Sequence, residues 1–464
     1  MITMKNWKRF SSVLLSATLL LGMIPGAIAQ EEAPGWRVGF ARRQIALPEN
    51  SAEPIYIAGY NSAWEITGVL DLCEARAVWL DAGDGGVLLI GVDCIALDSG
   101  TVGEIRAAIG EIPGCLAINV YATHTHAGPD TLGMWGPTGV NGKNSDYMKN
   151  LVAAAAEAGR EAAANPREGR LFFGYAVTED MYRDSRYPYV YDPNLYQLRF
   201  EANDGAAGVR VYIYGAHAES LRGDNKLVSR DFPGRLCDGM TALTGDNTMF
   251  CPGPIGGLIM TKAFVDDTGK QAEENLAITS DKLIGYAKSI TPETERELMP
   301  ALQFSRSVFT VPLDNPAFAL YKLLGILNNK AVKADGATGH GVETELSVLM
   351  LDDLAVTLIP GEIFPELVLG GETGWMNYGA VNPRPLNQIA KENGVEQMVV
   401  IGLCNDELGY IVPPSDFLLN PDAPYIERIT DGIGEDHYEE TNSVGPACAQ
   451  CIADALEAAL KNLK

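Results

Sequence analysis

The sequence predicts an α/β (α+β) fold, a layered sandwich of two mainly mixed or antiparallel sheets flanked by helices, in a single large domain. Three observations lead there. Short apolar runs bounded by turns recur along the chain, as strands of buried sheets do. Long alanine-rich or apolar-periodic stretches between them are helical. The order strand, helix, strand, polar loop occurs twice, near residues 87–126 and 354–410, without sequence identity between the copies. Two such units packed sheet on sheet put their helices outside.

Taken in order, Arg37 to Phe40, Ala75 to Leu80 and Val87 to Asp93 read as strands, with Asp84-Gly85-Gly86 as the turn before the last. A helix over Gly103 to Ile109 precedes the strand Ala117 to Ala122, which runs directly into His124-Thr125-His126. Asp146 to Ala164 is a helix with Ser145 as its cap and Asn165-Pro166 as its stop. Strands at Tyr196 to Glu201 and Gly208 to Tyr214 deliver Gly215-Ala216-His217. Further on, Glu345 to Leu351 and Leu354 to Leu358 form a hairpin that ends in Pro360-Gly361-Glu362. A helix over Pro385 to Asn393, a strand over Met398 to Gly402 and a last helix over Ala447 to Leu463 complete the series. The apolar segment Phe318 to Leu327 reads as a core helix in preference to a cover for an acyl chain. No Pro/Ser-rich linker or low-complexity run divides these elements, so one domain is expected over residues 30–464.

Of 464 residues, 47% are apolar and 20% charged, which is the composition of a globular chain. Residues 1–29 read as a secretory signal peptide. Lys5, Lys8 and Arg9 precede an apolar run from Val13 to Ile24, too short to span a membrane, and Ala27-Ile28-Ala29 supplies small residues for cleavage near Ala29. A secreted product, extracellular or periplasmic, is expected. Cleavage removes three positive charges and no negative ones, moving the formal charge from -25 to -28. So acidic a surface disfavours nucleic acid and anionic membrane as partners. Eight cysteines remain, which an exported chain could pair, and Cys448-Ala449-Gln450-Cys451 reads as structural thiols or a local disulfide before a redox site.

The chain has five histidines, and His124, His126 and His217 directly follow expected strands, where α/β folds place their chemistry. A His-X-His on extended backbone points both rings to one side, so one ring can bind a metal while the other orients water or substrate. Alone, such a pair reads first as an ordinary core or surface histidine pair.

The combination Ala122-Thr123-His124-Thr125-His126-Ala127-Gly128-Pro129, Gly215-Ala216-His217, Ile359-Pro360-Gly361-Glu362 and Gly402-Leu403-Cys404-Asn405 with Gly409-Tyr410 resembles the neutral/alkaline non-lysosomal ceramidase family. The likeness runs from about Val38 to Leu460, as a short form with the catalytic domain and no appended β-sandwich. It implies one Zn2+ per chain, with His124, His217, Glu362 and Tyr410 as ligands. It implies catalytic roles for His126, Arg186 and Tyr438, with Arg183 as the competing choice for the arginine. The implied activity is hydrolysis of the amide bond of an N-acylated, ceramide-like small-molecule substrate to fatty acid and amine by metal-activated water. Hydrolysis of another amide or ester, or a secreted binding protein on the same fold, are the alternatives. Oligomeric state is not legible.

Two departures bear on that implication. The family carries a Gly-Asp-Val-Ser-Pro-like block, whereas this chain reads Gly245-Asp246-Asn247-Thr248-Met249-Phe250-Cys251-Pro252, with no serine. Were a nucleophile essential, Thr248 or Cys251 would have to supply it, and Cys251 has no evident histidine partner. The segment between Tyr410 and Tyr438 is also longer than in the family, which bears on the shape of the substrate entrance.

Overall fold

The computed structural model describes residues 35–265, 271–371, 377 and 379–463. The expected signal peptide lies outside them. Residues 34–464 form one compact unit.

The larger sheet has nine strands. Its path runs Asn247–Pro252, Val209–Tyr214, Asn194–Ala202, Arg167–Val177, Trp36–Gln44, Glu74–Asp81, Gly86–Val92 and Cys115–Ala122, with Arg296–Leu298 pairing to Arg167–Val177. The second sheet runs Leu302–Leu313, His340–Leu351, Leu354–Leu358 and Gln397–Ile401, with Lys330–Lys333 beside His340–Leu351. Alternation along each strand divides its side chains between two faces. Val209, Val211 and Ile213 join Leu354, Val356, Leu358, Val399 and Ile401 in one apolar layer between the sheets. Tyr212 and Tyr214 point the other way, onto the helices α3 (Asp231–Thr244) and α4 (Ala272–Ser289).

The same outer face carries α1 (Ser99–Ile109) and α2 (Ser145–Ala164) over Ala75, Ala77, Leu88 and Ile90. Small side chains let α2 lie close to the sheet: a Cβ on Gly39 would stand 1.9 Å from the Ala162 carbonyl oxygen. The outer face of the second sheet is covered by α6 (Pro365–Leu369), α7 (Leu386–Glu392) and α8 (Cys448–Asn462), which bury Leu367, Ile389, Ile452 and Leu456. Helix, sheet, sheet, helix is therefore the layer order, as expected from the sequence. The two recurring units are both parallel: Gly86–Val92 with Cys115–Ala122, and Leu354–Leu358 with Gln397–Ile401.

Two local readings change, at Ser145 and at Phe318, and the cysteines follow the structural-thiol alternative. Ser145 is the first residue of α2, and Asn144 caps it by accepting from the Tyr147 N–H; the Ser145 N–H and hydroxyl are taken by the Glu53 carboxylate. The segment from Phe318 is not a core helix. None of the residues of α5 (Pro316–Leu323) is buried, Leu323 is 82% exposed, and Phe318 and Lys322 line a cleft. All eight cysteines are free thiols, including Cys448 and Cys451.

Candidate active site

The two recurring units meet at their loops. Asn405 N–H donates to the Val120 carbonyl, and the Asn405 side chain accepts from the Val120 N–H. On one side of this seam the strand Cys115–Ala122 gives way to His124, whose backbone is left-handed, φ +64°. A non-glycine residue held there costs about 1–3 kcal/mol, and such strain collects at functional positions. The turn carries the His124 ring to the Ile95 carbonyl, 2.7 Å from Nδ1. His126 follows on the same side, its Nε2 3.1 Å from His124 Nε2.

His217 comes from the loop after Val209–Tyr214. The Ile259 carbonyl receives both its backbone N–H and its Nδ1, each at 2.8 Å. Main-chain carbonyls thus take the Nδ1 protons of His124 and His217, and their Nε2 atoms face inward.

From the opposite sheet, Glu362 and Tyr410 arrive together. The two-residue strands Glu362–Ile363 and Tyr410–Ile411 pair in parallel, with Glu362 directly beside Tyr410. Gly361 makes that approach possible, since a Cβ there would lie 2.8 Å from the Gly409 carbonyl oxygen. Glu362 Oε2 stands 3.0 Å from His217 Nε2 and 3.4 Å from His124 Nε2. The Tyr410 ring stacks at 25° to the His217 imidazole, centroids 6.5 Å apart.

Burial by itself raises a carboxyl pKa, but the charge and hydrogen bonds of His124 and His217 hold Glu362 well below its ordinary value. His217 is raised: burial opposes its charge, and Glu362 outweighs that. His126 is lowered well below the ordinary imidazole value by burial and by its two histidine neighbours, so it is a neutral base. Burial and Glu362 push the phenols of Tyr410 and Tyr438 upward.

His124, His126 and His217 offer ligand atoms within 4.8 Å of one another, and Glu362 closes the group with an oxygen. Three imidazoles and a carboxylate, their outward nitrogens mostly engaged, suit a borderline divalent ion such as zinc. The donor set therefore fits a metal, with His126 as near to the group as the expected ligands.

His124, His126 and Glu362 line a cleft open to solvent, whose walls include Ile95, Leu132, Trp135, Phe318, Leu327 and Val342. Tyr438 also lines it, its ring 6.0 Å from that of Tyr410. Arg186 does not line it. Its guanidinium is 2% exposed and is taken up by Asp416, Glu439 and Glu440, with His437 Nδ1 2.7 Å away. That knot holds the 416–440 segment and keeps the guanidinium out of the cleft. The competing Arg183 sits in a two-residue strand paired with Met260–Thr261. Neither Thr248 nor Cys251 reaches the cleft. They belong to the edge strand Asn247–Pro252, where the Cys251 thiol meets the Tyr121 hydroxyl and burial raises its pKa.

Sequence reading passed over Glu407, Glu219 and Tyr60. Glu407 lines the cleft near Glu362, with one oxygen on the Gly409 N–H and the other buried without a partner. Glu219 lies two residues past His217, a spacing that on extended backbone returns to the same side and could have pointed to it.

No protein-family model matches the chain, and no curated protein matches it in sequence. Solved structures do match in shape. The neutral ceramidase from Pseudomonas aeruginosa superposes with a TM-score of 0.69 at 15% identity, over 92% of this chain and 75% of that one. A ceramidase complexed with C2 gives 0.66 at 14%, over 92% and 76%. Nearly the whole described chain thus follows one known architecture, and that architecture is the neutral ceramidase fold.

Proposed function

We propose that this protein is an exported zinc-dependent amidohydrolase that cleaves an N-acylated, ceramide-like amide to a carboxylic acid and an amine. One observation carries the reading: His124, His126, His217 and Glu362 converge, two of them with Nδ1 on main-chain carbonyls, beside a cleft with apolar walls. The shared fold with neutral ceramidases supports the same chemistry. Residues 1–29 as a signal peptide and 30–464 as one catalytic domain are part of the proposal. Among the described residues no helix is long and apolar enough to cross a membrane.

His124, His217, Glu362 and Tyr410 are the proposed zinc ligands. A zinc ion held there would supply a Lewis acid that lowers the pKa of water and polarises the amide carbonyl. The apolar walls at Leu132, Trp135, Phe318 and Leu327 bind the acyl chain and exclude water. His126, neutral and with Nε2 turned toward His124, takes the proton of the attacking water and returns it to the leaving nitrogen. The phenol of Tyr438, kept protonated by burial, donates to the oxyanion of the tetrahedral species. Arg186, expected from the family resemblance to act on substrate, is here assigned to holding the segment that carries Tyr438.

The test is elemental analysis of purified residues 30–464 after mild dialysis, followed by assay on ceramides and other N-acyl amides. About one zinc per chain and release of free amine are expected. A chain that retains no metal, or a zinc-loaded chain inert on every N-acyl amide, overturns the reading.

A further inference from the structure

His126 is held differently from its neighbours. His124 and His217 rest Nδ1 on main-chain carbonyls, whereas His126 Nδ1 is buried with no hydrogen-bond partner. What stands before it is a carboxylate: Glu219 Oε2, 3.7 Å away, on a side chain that is itself buried. A ring shift of about 0.5 Å brings the two within hydrogen-bond range.

The surroundings are built to hold that pair. The Tyr60 hydroxyl donates to the same Glu219 oxygen, and the Tyr60 ring meets the His126 imidazole edge-on, centroids 5.2 Å apart. Arg222 Nη1 lies 3.6 Å from the other oxygen, Oε1. Beneath the ring is Gly59, at φ +111°, where a Cβ would come within 2.7 Å of His126 Cβ, Cγ and Nδ1. Backbone closes on the imidazole from one side, and the carboxylate meets its outer nitrogen.

We propose that Glu219 is the positioning residue of this site: its carboxylate fixes the His126 ring with the proton on Nδ1, so that Nε2 keeps its lone pair toward the reacting centre, while Tyr60 anchors the carboxylate. The inference rests on the amidohydrolase reading for the identity of the proton carried, but the orientation of His126 does not. A carboxylate behind an imidazole strengthens it as a base more than a neutral carbonyl does. The site thereby separates its histidines by their outer partners: carbonyls behind the two proposed ligands, a carboxylate behind the proton carrier.

The experiment combines spectroscopy and kinetics on the zinc-loaded chain. Long-range 1H–15N correlation of the histidine rings is expected to show His126 as a single Nδ1–H tautomer in the wild type and as a mixture in Glu219→Gln. The same variant is expected to keep its zinc, to lose about 10–100-fold in kcat and to change KM less than about twofold, with Glu219→Asp recovering part of the loss. Tyr60→Phe should give a smaller loss of the same kind. The proposal is overturned by an Nε2–H tautomer of His126 in the wild type. It is overturned equally if Glu219→Gln keeps kcat, or loses affinity for substrate alone or zinc alone. If the wild type hydrolyses no N-acyl amide, the amidohydrolase reading fails by itself, and the ring spectra still decide whether Glu219 positions His126.

Discussion

Two of the buried clusters of ionisable groups in this molecule are balanced in opposite ways. Around Arg186, one guanidinium meets Asp416, Glu439 and Glu440 at close range, and the guanidinium itself stays out of the cleft. Around His124, by contrast, imidazole nitrogens and carboxylate oxygens face one another across a shared space, beside a cleft with apolar walls. The first cluster packs three carboxylates around one guanidinium and turns its contacts inward. The second gathers lone pairs that only a cation or a proton in transit would satisfy. Burial and charge alone do not tell a structural network from a chemical one; what each arrangement leaves over does.

The largest effect is expected where that surplus is removed. His124→Ala takes away one of the two nitrogens nearest Glu362 Oε2, and should lower both zinc content and kcat/KM, the latter by about a thousandfold or more. Thermal stability of the metal-free protein should change far less, which unfolding followed in the presence of chelator would establish. A His124→Ala protein with full zinc and full activity would break the comparison at its first term.

Arg186→Ala should invert that pattern. It leaves Asp416, Glu439 and Glu440 buried without their cation, a loss of about 3–5 kcal/mol in stability by denaturant unfolding. Zinc content of the folded fraction is expected to remain about one per chain. Loss of metal without loss of stability would move Arg186 into the site.

The histidine half of the site was legible in the sequence because strand ends announce themselves: Ala117 to Ala122 and Gly208 to Tyr214 are apolar runs that stop at His124 and His217. Glu362 and Tyr410 were legible only through the family resemblance. They are neighbours in a pair of two-residue parallel strands, too short to leave a periodic signal. Arg186 was placed by its spacing from Pro188 and Val190, which carries no information about the acids of residues 416–440 that fold over it. For α5, apolar composition suggested the core, yet a helix lining a ligand cleft needs the same residues. For Glu219 the one signal was its spacing two residues past His217, since its partners Tyr60 and His126 are distant in the chain.

A third prediction concerns pH. Burial, with the charges of Asp184 and Asp416, raises the Glu366 carboxyl to about 8. The folded protein then holds a proton that the unfolded chain releases above about 4.5, so this group's contribution to stability is full at low pH and is lost as pH rises through about 8. Glu366→Gln, which cannot ionise, should match the wild type near pH 5 and exceed it by about 1–3 kcal/mol above pH 8, read as the midpoint of urea unfolding. A gap that is constant with pH would place the raised acid elsewhere among the Arg186 neighbours.

The smallest expected effect is at the wall of the cleft. Phe318 projects from α5, a helix with no buried residue, and lines the cleft beside Leu327. If that wall covers an acyl chain, Phe318→Ala removes contact area from the substrate as well as from the core residues its half-buried ring packs against. The expected result is a rise in KM of about three- to tenfold for long-chain N-acyl amides, roughly 1 kcal/mol of lost apolar contact, with short-chain substrates nearly unaffected. The dependence on chain length separates the two origins of such a change, because a helix that merely packed against the fold would weaken every substrate alike or none. A uniform effect would return Phe318 to the structural side of the comparison, next to Arg186, and leave the acyl chain to the opposite wall at Leu132 and Trp135.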